Sequence, residues 1–563
     1  MRKVVLGFLA ILFFSTQVAF SANTVVGTVN EFNAAVSASN PGDFITLKNG
    51  TWTDAVLEFY ADGTEGNPVT VRAETAGQVI LTGTSRIEIY GKYLEVQGLD
   101  FKDGALSGDA VIEFRRSSSQ LAENCRITNC RILNYNPSTD DIEYKWVSLF
   151  GKNNRVDHCT FTGKNHEGAL LVVWLNGSAN NHRIDHNYFS DIPELDRNGA
   201  ETIRIGTSTN SMTESRTIVE YNVFEECDGE LEIISNKSNF NIYRYNTFRN
   251  NNGVLTLRHG NDCEVYGNFF FGGAGKNSGG VRIIGERHKV YNNYFQDLDG
   301  QSTRAAISMM NGVPSSPLNR YFQVKNAEVV HNTIVNCRQA FAFGVGVNDE
   351  LSLPPLDCTI ANNVVDKEVR SDAIRYYDDP INVSYIDNFV NSTGLDVSDT
   401  GLKSIDPELT LIGGLWRVDG SQTAIDASNV SYAYVVKDMD GQQRDSKPDI
   451  GSDELSQDDE AISPLTANDV GSVWSRATAS VNELHQMDIN VYANKGVLYL
   501  SNLPKEHLPY AVALYTKSGQ EVITDTISQI SGSVAVPSLK GVYVLRVLGK
   551  NGVFYSQKVF VEE

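Results

Sequence analysis

The phrase VDHCTF at residues 156–161 returns as IDHNYF at 184–189, VEYNVF at 219–224, YRYNTF at 243–248, VYGNFF at 265–270 and VYNNYF at 290–295. Weaker copies end at Phe101, Ile132, Ile334 and Val365, and the spacings run from 22 to 39 residues. Self-similarity at such a period marks a solenoid, in which one repeat is one coil that cannot bury its apolar face alone. In five copies an asparagine (Asn187, Asn222, Asn246, Asn268 or Asn293) stands two residues before the phenylalanine. Stacked coils bring each set into a column, with amides hydrogen-bonding from turn to turn and rings filling the interior. An ordinary sandwich has no reason to keep one phrase through six strands. The expected fold is all-β, a right-handed parallel β-helix.

Working outward, Arg2 and Lys3, the apolar run Val4 to Phe14 and the small residues around Ala19 and Ser21 read as a secretory signal over residues 1–21. That run is shorter than the roughly 20 residues a bilayer span needs, so no membrane span is expected. The protein is expected to be secreted, periplasmic or held at the cell surface. NEFNAAVSA, from Asn30, has Phe32, Ala35 and Val36 at helical spacing and is assigned as the cap over the first coil. Coils are expected over 22–455. PDIGSDELSQDDE, from Pro448 to Glu460, loses the phrase and turns acidic, so 456–483 is read as a linker. From 484 to 563 the alternating runs INVYA, GVLYLS, YAVALY, GVYVLRV and VFYSQKVFV predict a small β-sandwich-like domain.

The net charge is −22, and loss of Arg2 and Lys3 with the signal makes it more negative still. This argues against non-specific binding to nucleic acid or to anionic membranes. An anionic sugar polymer would need a local basic patch. The seven cysteines, at 125, 130, 159, 227, 263, 337 and 358, lack CxxC metal spacing and are odd in number. Most are read as small buried hydrophobes, with one or two disulfides left open.

Chemistry concentrates on four consecutive coils, at GAETIRIG from Gly199, GELEIIS from Gly229, GVLTLRHG from Gly253 and GGVRIIGE from Gly279. Strand side chains alternate faces. Leu231, Ile233, Leu255, Leu257, Val281 and Ile283 are expected inside, which turns Glu230, Glu232, Thr256, Arg258 and Arg282 outward as a charged stripe. In GAETIRIG a one-residue slip puts Ile203 and Ile205 inside and Thr202 and Arg204 outside. Asn198 and Lys237 are placed in the flanking turns. Two carboxylates at alternate positions, with an amide oxygen from the preceding coil, suit a hard cation such as calcium, which takes several oxygen ligands. A solvated salt-bridge ladder is the competing explanation, but it has no need of Lys237, Arg258 and His259 crowded beside the acids.

Over roughly residues 25 to 455, NGAETIRIG, DGELEIISNKS, GVLTLRHGN and the later DMDGQQR and DIGSDE resemble polysaccharide lyase family six, the β-helix alginate lyases and chondroitinase B-like dermatan sulfate lyases. The resemblance implies calcium ligands at Asn198, Glu230 and Glu232, a catalytic base at Lys237 and a catalytic acid at Arg258. His259, Arg282, Arg204 and Lys164 are expected to hold substrate. The tail phrases YTKSGQEV, LKGVYVLRV and KVFVEE resemble the C-terminal sorting domain of proteins exported by the bacterial type nine secretion system, which implies the export machinery as a partner.

The residue types fit the implied chemistry. Removing the proton beside a uronate carboxylate pushes charge onto a group already negative, and a cation on that carboxylate stabilises the enolate-like transition state. Arg258 holds its own proton tightly, so either it donates to the departing oxygen or it steadies that oxygen while water donates. The expected activity is calcium-assisted β-elimination of alginate. A dermatan sulfate lyase and a non-catalytic glycan-binding β-helix are the alternatives. A β-helix glycosidase would instead need an acid and base carboxyl pair, and a uronate epimerase would return the proton instead of expelling the leaving group.

Overall fold

Each copy of the repeated phrase turns a corner between two strands. In VEYNVF, Ile218–Glu220 ends one strand, Tyr221 adopts φ 54°, and Val223–Cys227 begins the next. His186, Tyr245, Gly267 and Asn292 hold the same left-handed corner in their own coils. A left-handed residue other than glycine costs about 1–2 kcal/mol, and the asparagine that follows offsets the cost. The Asn222 side-chain NH2 donates to Ile184 O at 2.9 Å and to Asn246 Oδ1 at 3.0 Å, and the Asn222 backbone NH donates to that same oxygen at 3.0 Å. Asn187, Asn246, Asn268, Asn293, Asn332 and Asn363 repeat the side-chain bond up the stack, which ends on Asn388. Inside, Phe161, Phe189, Phe224, Phe248, Phe270 and Phe295 stack with centroids 5.2, 5.0, 4.8, 4.6 and 4.8 Å apart.

In this computed structural model the described residues are 21–476, except 196, 274, 367–371, 421 and 422, and most of 490–561. The expected signal peptide, but for Ser21, lies outside them, as do residues 477–483 of the expected linker. Three long, mainly parallel sheets of 14 strands each wind into the right-handed parallel β-helix expected from the repeat. The helix Val29–Ala38 buries Phe32, Ala35 and Val36 in the core that runs along the coils. Its N-terminus is closed by Thr28, whose hydroxyl accepts from Glu31 NH at 3.2 Å, and by Glu31, which accepts from Gly27 NH at 2.7 Å. All seven cysteines are buried and none is bridged, so neither of the disulfides left open is formed. No helix among the described residues is long and apolar enough to cross a membrane.

Beyond the last coil the chain doubles back and lies along the outside of the stack. Trp416 NH donates to Tyr294 Oη at 2.8 Å, Leu465 NH to Thr247 Oγ1 at 2.8 Å, Gly471 NH to His186 O at 2.8 Å and Val473 NH to Asn129 Oδ1 at 2.8 Å. The chain divides into Met1–Ser475 and Arg476–Glu563. Residues 456–475, expected as linker, thus form a strap on the coils, because their backbone groups find partners at successive corners. The second unit is antiparallel. One sheet holds Asn490–Asn494, Val497–Ser501 and Ser531–Ala535; the other holds Glu521–Ile527, Tyr510–Tyr515, Gly541–Leu548 and Phe554–Val561.

Candidate active site

Strand register builds the site on one sheet of the β-helix. Ile203 pairs with Ile234, Ile234 with Leu255 and Leu255 with Val281, forming an inward row. Arg204, Ser235, Thr256 and Arg282 form the outward row beside it. This register corrects the expected alternation in GELEIIS. The ladder shifts between Glu232 and Ile234, so Ile233 and Ile234 both enter the core and Leu231 is left only half-buried. A bulge absorbs the extra residue. Asn236 takes the next inward position, where its amide donates to Ser238 O at 2.9 Å and His259 O at 2.8 Å. Lys237 is the last residue of the strand Glu232–Lys237, not a turn residue.

The bulge gathers acids. Glu201, Glu230 and Glu232 each offer a carboxylate oxygen within 4.8 Å of the others. Glu201 was not singled out in the sequence, because the slip assumed for GAETIRIG turned Thr202 and Arg204 outward and left it unassigned. Its side chain is buried, and Oε2 has no hydrogen-bond partner. Glu230 accepts from Gly199 NH at 3.3 Å through Oε2, while its buried Oε1 has no partner. Burial first, then the neighbouring Glu201 and Glu232, pushes the Glu230 carboxyl up to about 8. Asn198 lies exposed in the turn beside Gly199. A cation held by these oxygens would satisfy the two orphaned atoms and relieve the repulsion, so the donor set fits calcium. The second acidic group, Asp438, Asp440 and Asp453, is already compensated. There Arg417 bonds Asp440 and Asp453, and Asp438 accepts from the NH groups of Asp440 and Gln442.

Cations ring the acid cluster. Lys237 Nζ lies 3.4 Å from Glu201 Oε1 and Arg204 Nη1 lies 4.0 Å from Glu201 Oε2. Glu232 Oε1 faces Arg258 Nε at 3.6 Å and Arg282 Nη1 at 3.3 Å. Glu230 has no ion-pair partner among the described residues. Tyr321, from the connection between the strands Ile307–Met310 and Glu328–Val330, accepts from Arg282 Nη2 at 2.5 Å, and its ring centroid lies 4.1 Å from the Arg258 guanidinium carbon. Burial lowers the pKa of Arg258. Burial, then Arg258 and Lys237, lowers His259 to about 3, so its ring is neutral, with Nε2 3.3 Å from Ser208 Oγ and Nδ1 free of partners.

The structure therefore brings together Glu230, Glu232, Lys237, Arg258, Arg282 and Arg204, with His259 beside them. Lys164 differs from expectation. It is 2% exposed, and its ammonium donates to the carbonyls of His166 and Gly168, so it braces a turn instead of presenting a free cation. Tyr321 and Ser208 were not foreseen, since neither sits on the aligned strands. Only the length of the insertion after Met310 could have drawn attention to Tyr321.

The family model described as Chondroitinase B matches residues 26–416. An arginine-to-alanine variant of the PL6 family alginate lyase AlyGC is 36% identical, with TM-score 0.72, over 80% of this chain and 58% of that one. AlyGC itself is 36% identical, with TM-score 0.68, over 79% and 60%. A mannuronic acid specific family-six lyase from human gut microbiota is 32% identical, with TM-score 0.62, over 68% of this chain and 91% of its own. The chain thus spans about three fifths of the length of AlyGC. No curated protein matches the sequence. With both the family model and a 32%-identical relative covering the coils, the chain belongs to the chondroitinase B-type polysaccharide lyases of family six.

Proposed function

We propose that the protein cleaves alginate by calcium-assisted β-elimination, leaving an unsaturated uronate end. The observation that carries this reading is Glu230, a half-buried carboxylate whose buried Oε1 has no hydrogen-bond partner and which makes no ion pair among the described residues, grouped with Glu201 and Glu232 and lying on the coil whose strand ends in Lys237. Asn198, Glu230 and Glu232, joined by Glu201, would hold the calcium. When bound, calcium would draw charge from the uronate carboxylate and ease loss of the neighbouring proton. Lys237 takes that proton as the free amine. Arg258, braced by Tyr321 and Glu232, faces the departing glycosidic oxygen, either donating to it or steadying it while water donates. Arg282, Arg204 and His259 position the sugar, with the guanidinium fork suited to a carboxylate. The alginate lyases among the similar structures favour alginate over dermatan sulfate.

The test is incubation with alginate, dermatan sulfate and pectate while following the ultraviolet absorbance of unsaturated uronate. A rise with alginate supports the reading. A rise with dermatan sulfate alone moves the substrate, and polymer shortening without absorbance would mean hydrolysis. The same reading holds the protein to be secreted through its amino-terminal signal, with the unit Arg476–Glu563 addressing it to the type nine export machinery.

A further inference from the structure

The outward row that carries Lys237 continues toward the amino-terminal coils. Leu149 pairs with Val173, Val173 with Ile205 and Ile205 with Asn236, so one position further on, Phe150, Trp174, Gly206 and Lys237 follow one another across four strands. Glu113 pairs with Ser148, which sets Arg115 next to Phe150 in the same row. The side chains form a sandwich. Arg115 lies over the Phe150 ring at 3.6 Å, Phe150 stacks on Trp174 at 5.6 Å with planes 6° apart, and Arg204 lies over Trp174 at 5.5 Å. Trp174 is tethered by Nε1 donating to Ser148 Oγ at 3.3 Å.

Gly206 interrupts the row between this sandwich and Lys237. Its φ is +84°, and an added Cβ would come within 2.6 Å of Lys237 O, so the position stays without a side chain. At the far end, Arg115 donates through Nε to Glu113 Oε1 at 2.7 Å, and its two terminal nitrogens have no partner among the described residues. Its side chain is 36% exposed. A guanidinium held over a ring, with its fork open, is preorganised to grip a carboxylate.

Resting on the lyase reading above, we propose that Arg115, Phe150 and Trp174 form a distal subsite for the uronate units of the acidic polymer, away from the cleavage point. Strands in the sheet are about 4.8 Å apart, close to the advance of one 1,4-linked pyranose, so Trp174 lies roughly 10 Å and Arg115 roughly 19 Å along the row from Lys237. The arrangement makes chain length a determinant of specificity. Oligomers that reach Arg115 gain a carboxylate contact that a trisaccharide bound over Lys237 does not.

The test uses the full chain with Arg115→Gln and Trp174→Leu, each checked by circular dichroism and melting, on alginate fractions from trisaccharide to polymer. Expected for Arg115→Gln is a fall of about tenfold in kcat/KM on long chains, carried by KM with kcat retained, and an unchanged rate on trisaccharide, while Trp174→Leu should lower kcat/KM on long chains at least as far. Arg115→Lys, which keeps charge but loses the fork, should recover only part of the loss. An unchanged ratio of long-chain to trisaccharide kcat/KM in folded Arg115→Gln overturns the subsite and leaves the sandwich a packing feature. If the wild-type protein makes no unsaturated ends from any uronate polymer, the lyase reading fails instead. Calorimetry with polymeric alginate then decides the subsite, which stands if Arg115→Gln weakens binding and falls if it does not.

Discussion

Lys237 Nζ sits 3.4 Å from Glu201 Oε1, an oxygen of the same carboxylate whose other oxygen is buried without a hydrogen-bond partner. One carboxylate thus faces both the expected base and the space expected for the cation. A cation drawing on Glu201 would loosen its contact with Lys237, so the two functions are coupled through this residue. Glu201→Gln should weaken calcium binding by about 10–100-fold and lower turnover with it. Calcium titration by calorimetry beside the lyase assay checks this, and unchanged calcium affinity would remove Glu201 from the cation site.

Calcium removal should abolish turnover and lower the melting temperature together. A ligand that binds only the folded state stabilises it by about 2.7 kcal/mol at a hundredfold excess over its dissociation constant. The measurement is thermal melting and alginate cleavage before chelation, after it and after calcium is restored. Full activity in metal-free protein would mean that side chains alone neutralise the substrate carboxylate.

Lys237→Ala should lower turnover by a factor on the order of 10²–10⁴ while sparing alginate binding, because a general base acts on the transition state. Arg258→Lys keeps the charge but gives up the planar fork that lies over Tyr321, so a deep loss there assigns geometry as well as charge to the leaving-group side. Near-normal turnover of Lys237→Ala at every pH would dismiss it as the base.

Lys164 gives a prediction about stability. Burial, then the charge of Lys145, lowers its pKa from 10.5 to about 7. Between those values the unfolded chain holds a proton that the folded chain has released, so stability rises with pH across that window, by a few kcal/mol if the whole shift is expressed. Lys164→Met should flatten this rise in urea denaturation between pH 7 and 10. Because the wild-type ammonium faces backbone carbonyls, KM should stay unchanged in this variant. A raised KM with an unaltered pH slope would return Lys164 to the substrate face.

Deleting everything after about residue 480 should leave lyase activity intact and block export or surface retention, since the coils and the strap bury their own core. A truncated protein that folds but does not cut alginate would make the tail a substrate module.

The β-helix was legible because one column of asparagines and one of phenylalanines leave a periodic trace, and each member of those columns does the same job in every coil. The charged stripe was legible in its residue types, but its geometry was less so. A bulge at Ile233 and Ile234 breaks the period of two that assigns faces, and the slip assumed for GAETIRIG left Glu201 unassigned. Tyr321 reaches Arg258 and Arg282 through tertiary contact from an insertion, which leaves no periodic mark. The strap was misread because acidic, polar composition describes a linker and a surface-packed segment equally well. Its partners, such as Thr247 Oγ1 for Leu465 NH, are set by the coils and not by its own sequence.

That strap changes how the solenoid comes apart. A stack whose coils touch only their neighbours frays from its ends, one coil at a time. Here Ser472 NH is bonded to Thr160 Oγ1 across 312 residues of sequence, and the same segment also reaches the coils of Asn129, His186 and Thr247. Docking it requires those coils to exist already, so it closes last and carries the highest loop-closure cost in the molecule. Once closed, it makes distant coils share one fate, and a carbohydrate-binding face that must hold its spacing over several rungs gains a spine.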